Sequence, residues 1–140
     1  MEQALYKAAA STFENLGYMF PLEVEEEPAM PPAGTTVTVG VGFRGNISGR
    51  MTLEVEEPML ELVASNMLGD EGPHPTDFLY DAIGEIANVI TGNALAEIAG
   101  KREVFRLDPP AVCRGSDKPA AGAANVTLEE GRARVSIYLD

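Results

Sequence analysis

Residues 76–100 read TDFLYDAIGEIANVITGNALAEIAG, and a step of about 100° per residue sorts them onto two faces of one long helix. Leu79, Ile83, Ile86 and Ile90 fall in one narrow stripe, which must be buried. Asp81, Glu85, Asn88 and Gly92 fall nearly opposite, at i, i+4, i+7 and i+11, and share a solvent-facing strip. Thr76 is placed to cap this helix, which runs from about Asp77 to Ala99, with Gly100 as its stop and Lys101 and Arg102 near its negative end. Gly84, Ala87, Thr91 and Ala96 border the strip, and Gly84 and Gly92 each cost the helix about 1 kcal/mol relative to alanine. That cost is offset either by close packing inside the protein or by a smooth surface on which a partner rests. On pattern alone the strip is also what any solvated amphipathic helix shows.

Upstream, Gly72-Pro73-His74-Pro75 makes a turn, and a shorter helix carries Leu60, Leu62, Val63 and Met67 between Pro58, which suits a first turn, and Gly69. Before it, Val37, Val39, Val41 and Phe43 alternate with period two, and the alternation resumes after Arg44-Gly45-Asn46 as Ile47, Met51, Leu53 and Val55. This pattern predicts a β-hairpin. The acidic, proline-bearing stretch from Glu25 to Gly34 is a connector, and residues 2–16 carry Leu5, Ala8, Ala9, Phe13 and Leu16 at helical spacing up to Gly17. Downstream, Val104 and Phe105 suggest a strand, Pro109-Pro110 breaks the chain, and residues 114–124 read as a flexible loop. Val126 to Leu128 and Ala133 to Leu139 then close a second hairpin across Glu129-Glu130-Gly131. The mixture of helices and hairpins predicts an α+β fold in which a mainly antiparallel sheet packs against a few helices. At 140 residues with 45% apolar content, the chain suits one domain spanning residues 1–140.

Ten Lys and Arg against twenty-two Asp and Glu give a net charge of -12, which argues against nucleic acid or a membrane surface as partner. A phosphoprotein partner stays open, because it can bring its own lysine and metal ion. The N-terminus lacks a secretory pattern and no window approaches the ~20 apolar residues of a membrane span, so a cytoplasmic protein is expected. Cys113 is the only cysteine and His74 the only histidine, which leaves no disulfide framework, no Cys-based zinc cluster and no proton carrier for a serine or cysteine nucleophile. His74 reads as a loop residue, and the Glu25–Glu27 and Glu129–Glu130 runs as solvated surface. Gly40-Val-Gly42-Phe-Arg-Gly45 matches a dinucleotide-binding pattern, but another strand follows where that motif needs a helix, so these glycines belong to a hairpin.

The run Asp81-Ala-Ile-Gly-Glu85-Ile-Ala-Asn88-Val-Ile-Thr-Gly92-Asn93-Ala94 resembles the signature helix of the CheX, CheC and FliY family. Gly42-Phe-Arg-Gly45-Asn-Ile-Ser-Gly49, Asn66-Met-Leu-Gly69 and Pro110-Ala-Val-Cys-Arg-Gly115 also look like CheX segments in CheX order. The resemblance covers roughly residues 35 to 139, with a weaker echo in the first helix. CheC and FliY carry the signature twice, and this chain carries it once, which favours CheX. The family places a proline a little over twenty residues after the asparagine, a spacing that Pro109 and Pro110 both fit. Residues 113–124 look shorter and richer in Ala and Gly than the family's.

The resemblance implies a phosphatase that hydrolyses the aspartyl phosphate of a CheY-like response regulator. It implies Glu85 and Asn88 as the catalytic pair, Asn88 positioning the attacking water and Glu85 pairing with the lysine beside the regulator's phosphorylation site. Asp81, Gly84 and Gly92 would then face the partner, with Asp81 either extending the contact or standing as a solvated carboxylate. No metal site is expected in this chain, since Mg2+ belongs to the regulator's acidic pocket, and a homodimer formed through the sheets is expected. The leading alternative is a non-catalytic docking module that binds a regulator or flagellar-switch component, against which the presence of both Glu85 and Asn88 argues. A small-molecule hydrolase using Asp81 and Glu85 as an acid–base pair is the third reading, weakened by their position on a convex helix.

Overall fold

The computed structural model describes residues 1–23, 30, 35–115 and 118–140. In chain order the elements are α1 (Glu2–Gly17), β1 (Thr36–Arg44), β2 (Gly49–Glu56), α2 (Met59–Leu68), α3 (Thr76–Ala99), β3 (Arg106–Leu107), β4 (Ala111–Cys113), β5 (Gly122–Leu128) and β6 (Gly131–Leu139). The strands form one antiparallel sheet in the order β3-β1-β2-β6-β5, with β4 also paired to β1 beyond β3. This is the α+β architecture that the mixed pattern predicts.

The register explains why the sheet has one apolar face. Val37 lies opposite Val55, Val39 opposite Leu53 and Val41 opposite Met51, while on the next strand Met51, Leu53 and Val55 meet Ile137, Val135 and Ala133. Period-two side chains therefore stack in rows across β1, β2 and β6. All three helices lie against this face, α1 over β5 and β6, α3 over β1 and β2, and α2 over β2, and each helix also packs on the other two. Ile83, Ile86 and Ile90 of α3 are fully buried in the core together with Phe13 of α1 and Val63 of α2. Truncating one such isoleucine to alanine costs about 2–5 kcal/mol, so this row fixes how α3 is rotated and hence which residues it shows to solvent.

Several boundaries differ from the sequence expectation. Thr76 is the first helical residue of α3, and Pro75 is its N-cap, with φ -57° and ψ 148°. The proline ring supplies the N-cap's extended backbone, and its carbonyl accepts from the Phe78 and Leu79 amides, so no threonine cap is needed. In α1, Tyr18 and not Gly17 takes the left-handed C-cap conformation, with φ 52°. Val104 stands 85% exposed, and the strand begins at Arg106. Phe105 instead meets Phe43 edge-on at 6.1 Å between ring centroids. Leu62 of α2 is exposed, and Met59 is buried in addition to Leu60 and Val63.

Residues 122–124, expected in a loop, belong to β5, where Gly122, Ala123 and Ala124 pair with Ile137, Ser136 and Val135. Cross-strand pairing there overrides the weak strand preference of Gly and Ala. The connector reading of 25–34 falls, Met30 apart, outside the described residues. The glycines of the dinucleotide-like run have sheet explanations: Gly40 and Gly42 leave space for the Arg50 and Asp108 side chains, and Gly45 for the Phe105 ring.

Candidate active face on the long helix

α3 presents its strip as the helical period requires. Asp81, Glu85, Gly92 and Asn93 are exposed and Asn88 is half-buried, while Ile83, Ile86, Ile90, Ala94 and Leu95 face inward. Glu85 and Asn88 are three residues apart, which places their Cβ atoms about 5–6 Å from each other on one face. Neither side chain, nor that of Asp81, makes a hydrogen bond or ion pair with another described residue. Among the described residues the carboxylate and the amide are thus left to solvent or to a partner, with no described group on the amide's donors and acceptor.

The two helix glycines have different surroundings. Gly84 is buried, and a Cβ built there would lie 3.3 Å from Cβ of Pro110. Close packing inside the protein therefore accounts for Gly84. Gly92 is exposed, and a Cβ there would meet nothing within 4 Å, so no internal packing requires it. Of the two adjacent prolines, Pro110 is the one seated against the signature helix. It is carried there by the segment between β3 and β4, which is anchored on β1 by the Asp108 amide donating to the Gly42 carbonyl at 2.8 Å.

The sequence did not reveal what flanks the strip. Met67 and Leu68 of α2, with Phe78, Asp81, Ala82 and Glu85 of α3, line a shallow groove of about 310 Å³ at one end. At the other end Lys7, Ser11, Asn93, Glu97 and Lys101 line a polar groove of similar size, crossed by a Lys7–Glu97 contact at 3.5 Å. A groove thus does lie beside Asp81 and Glu85, but both carboxylates remain exposed, and it lacks the enclosure that an acid–base pair acting on a small molecule needs. Among the described residues no three His, Cys, Asp or Glu converge to hold a metal ion. No helix among them is long and apolar enough to cross a membrane.

Just before α3, the lone histidine is tied down. The His74 amide donates to Glu61 Oε1 at 3.0 Å, its Nδ1 faces Glu61 Oε2 at 2.8 Å, and its Nε2 contacts Asp70 Oδ1. Hydrogen bonds to Glu61 and then Asp70 raise the imidazole pKa, and those to His74 lower that of Glu61. His74 is a loop residue, as its sequence context suggests, but Glu61, which meets both its amide and its Nδ1, lies 13 residues earlier, out of reach of any local motif.

The family described as "Chemotaxis phosphatase CheX" matches residues 37–138. No curated protein matches the chain. Among solved structures, a chemotaxis protein CheX from Desulfovibrio desulfuricans superposes with a TM-score of 0.75 at 21% identity, over 99% of this chain and 97% of its own. The CheX–CheY–BeF3–Mg2+ complex from Borrelia burgdorferi matches with a TM-score of 0.72 at 21% identity, over 98% and 96%. Thermotoga maritima FliY matches with a TM-score of 0.61 at 20% identity, over 96% and 83%. At these identities the structural likeness establishes the fold.

Proposed function

Because the chain belongs to the CheX family of chemotaxis phosphatases, we propose that it hydrolyses the aspartyl phosphate of a CheY-like response regulator on the exposed strip of α3. The observation that carries this reading is the pairing of Glu85 and Asn88 on one exposed face with no described residue engaging either. The CheY complex of a similar fold supports the choice of partner.

Acyl phosphate hydrolysis needs a water in line with the leaving carboxylate, and positioning supplies most of the rate. The Asn88 carbonyl oxygen accepts a hydrogen bond from that water while its NH2 donates to a phosphoryl oxygen. As the water oxygen bonds to phosphorus, the P–O bond to the regulator's aspartate breaks. The carboxylate leaves with the electron pair, and the water's protons pass to the released phosphate and solvent, so no histidine is needed. Glu85, one turn earlier, pairs with the regulator's lysine and sets the register. Mg2+ is held in the regulator's own acidic pocket and neutralises phosphoryl charge there. Asp81 and Gly92 lie on the same face, Asp81 extending the contact and Gly92 keeping the surface low. The protein works in the cytoplasm with its regulator, and as a homodimer joined through its sheets, for which a monomeric solution mass would be the contrary result.

The test is a paired assay of turnover and of affinity for regulator loaded with beryllofluoride and Mg2+. Asn88→Ala abolishes turnover and leaves docking measurable, and Glu85→Ala weakens both. Normal turnover in Asn88→Ala would remove the mechanism, and binding without hydrolysis by the wild type would leave a docking module.

A further inference from the structure

We propose that the apolar groove between the end of α2 and the start of α3 is a second docking element for the regulator. It would take one apolar side chain from the surface bordering the phosphorylation site and so select which regulator is bound and in which orientation. This rests on the reading of the Glu85–Asn88 strip as the regulator-facing surface.

The groove is built from side chains that have no covering element within the described residues. Leu68, the last residue of α2, is 55% exposed, and Phe78, in the first turn of α3, is 54% exposed. Single exposed apolar residues are ordinary on any surface. These two instead face one depression with Met67 and Ala82, and Asp81 and Glu85 form its border. The same Glu85 therefore belongs to both the strip and the groove.

Geometry decides whether one partner can cover both. Phe78 precedes Asn88 by ten residues, about 15 Å along a helix that rises about 1.5 Å per residue. A standard interface covers about 800 Å² on each partner, a patch of about 16 Å radius. A regulator with its acyl phosphate over Asn88 thus reaches as far as Phe78, and Leu68 shares the groove with Phe78. The polar groove at the opposite end offers Asn93, Glu97 and Lys101 and no aromatic anchor. Interfaces concentrate their affinity on a few anchors, aromatic side chains and arginine above all, seated in desolvated pockets. The two ends of the strip are therefore unlike, and an apolar contact at the Phe78 end fixes which way the regulator lies. Asp81 and Glu85 at the border add a charge preference, favouring an apolar residue flanked by lysine or arginine.

The experiment measures KM and kcat with phosphorylated CheY-like regulators, and affinity for the same regulators loaded with beryllofluoride and Mg2+. The proteins are wild type, Leu68→Asp, Phe78→Ala, Leu68→Met and Leu62→Asp. Leu68→Asp and Phe78→Ala raise KM and Kd by about tenfold or more with kcat at saturation retained, as loss of an interface anchor does. Leu68→Met restores wild-type affinity. Leu62→Asp, an equally drastic change at an exposed position of α2 outside the groove, has no effect. Unchanged KM and Kd in both Leu68→Asp and Phe78→Ala would overturn the proposal. If wild type binds loaded regulator without hydrolysing phosphate, the catalytic reading fails, while the groove is still decided by the Leu68→Asp affinity. If wild type binds no regulator, both readings fall.

Discussion

The turn that leads into α3 and the strip that α3 presents are a few residues apart, and they treat their polar groups in opposite ways. In the turn, the His74 side chain is only 5% exposed, and its backbone amide and both ring nitrogens meet the Glu61 and Asp70 carboxylates. On the strip, the side chains of Asp81, Glu85 and Asn88 make no hydrogen bond or ion pair with a described residue. Polar groups that hold a fold together are satisfied inside it, because a desolvated and unpaired group costs about 1–3 kcal/mol. Groups left open at the surface are available to a partner that has not yet arrived. The difference sets the turn apart as architecture and leaves the strip open, as the working surface proposed for it requires.

Asn88→Asp should break this division most severely. It keeps the side chain's shape but replaces an amide donor with a negative charge facing the phosphoryl group. Turnover should fall by about 10²-fold or more, in the range for removal of a donor to developing charge, and affinity for phosphorylated regulator should fall below that of Asn88→Ala. Parallel kinetics and binding with the two variants check this, and Asn88→Asp binding as well as Asn88→Ala would mean that no anion approaches the residue.

Glu85→Gln retains the size of the side chain and removes its charge. The expected loss of affinity is about 10- to 100-fold, in line with about 1.5–3 kcal/mol for hydrogen bonds to charged groups, and it should shrink as salt rises because the wild-type contact is screened. A salt titration of both proteins reads it directly.

Gly92→Ala sharpens the contrast between the two glycines. A methyl group at Gly92 meets open space, so helix propensity should stabilise the protein by about 1 kcal/mol in denaturant unfolding. Affinity for the regulator should fall at the same time if the surface there is kept low for a partner. At Gly84 the same change presses on Pro110 at 3.3 Å, so the propensity gain is offset by displacement of the loop.

The turn should respond to pH. A raised His74 pKa means that the folded state holds the proton more tightly, so its stabilisation is present at low pH and lost as pH rises through the raised value, above the ordinary 6.5. A lowered Glu61 pKa gives stabilisation that is present above its ordinary 4.5 and lost as pH falls below that. The turn is thus strongest between these limits. Thermal melts of His74→Ala across pH should lack the alkaline decline that this residue contributes, with turnover per folded molecule unchanged at neutral pH.

What could be read in advance followed from local periodicity. The period-two rows of β1, β2 and β6 and the 3.6-residue stripe of α3 are long enough to declare themselves, and the strip carrying Glu85 and Asn88 follows from the stripe opposite. Arg106–Leu107 and Ala111–Cys113 are strands of two and three residues, too short to carry a pattern, and they exist because β1 offers an edge to pair with. Gly122 to Asn125 has no strand character of its own and is held by β6. Strand order, the seat of Pro110 on Gly84, the Glu61–His74 contact and the apolar groove all arise from contacts between separate segments. Those contacts leave no local trace in the sequence.

The most direct test of the central claim is the lifetime of a phosphorylated CheY-like regulator, followed alone, with the wild-type protein and with Asn88→Ala. The lifetime should shorten with the wild type and return to that of the regulator alone with Asn88→Ala. Equal shortening by both proteins would contradict the role given to Asn88, and no shortening by the wild type with any regulator it binds would contradict the phosphatase itself.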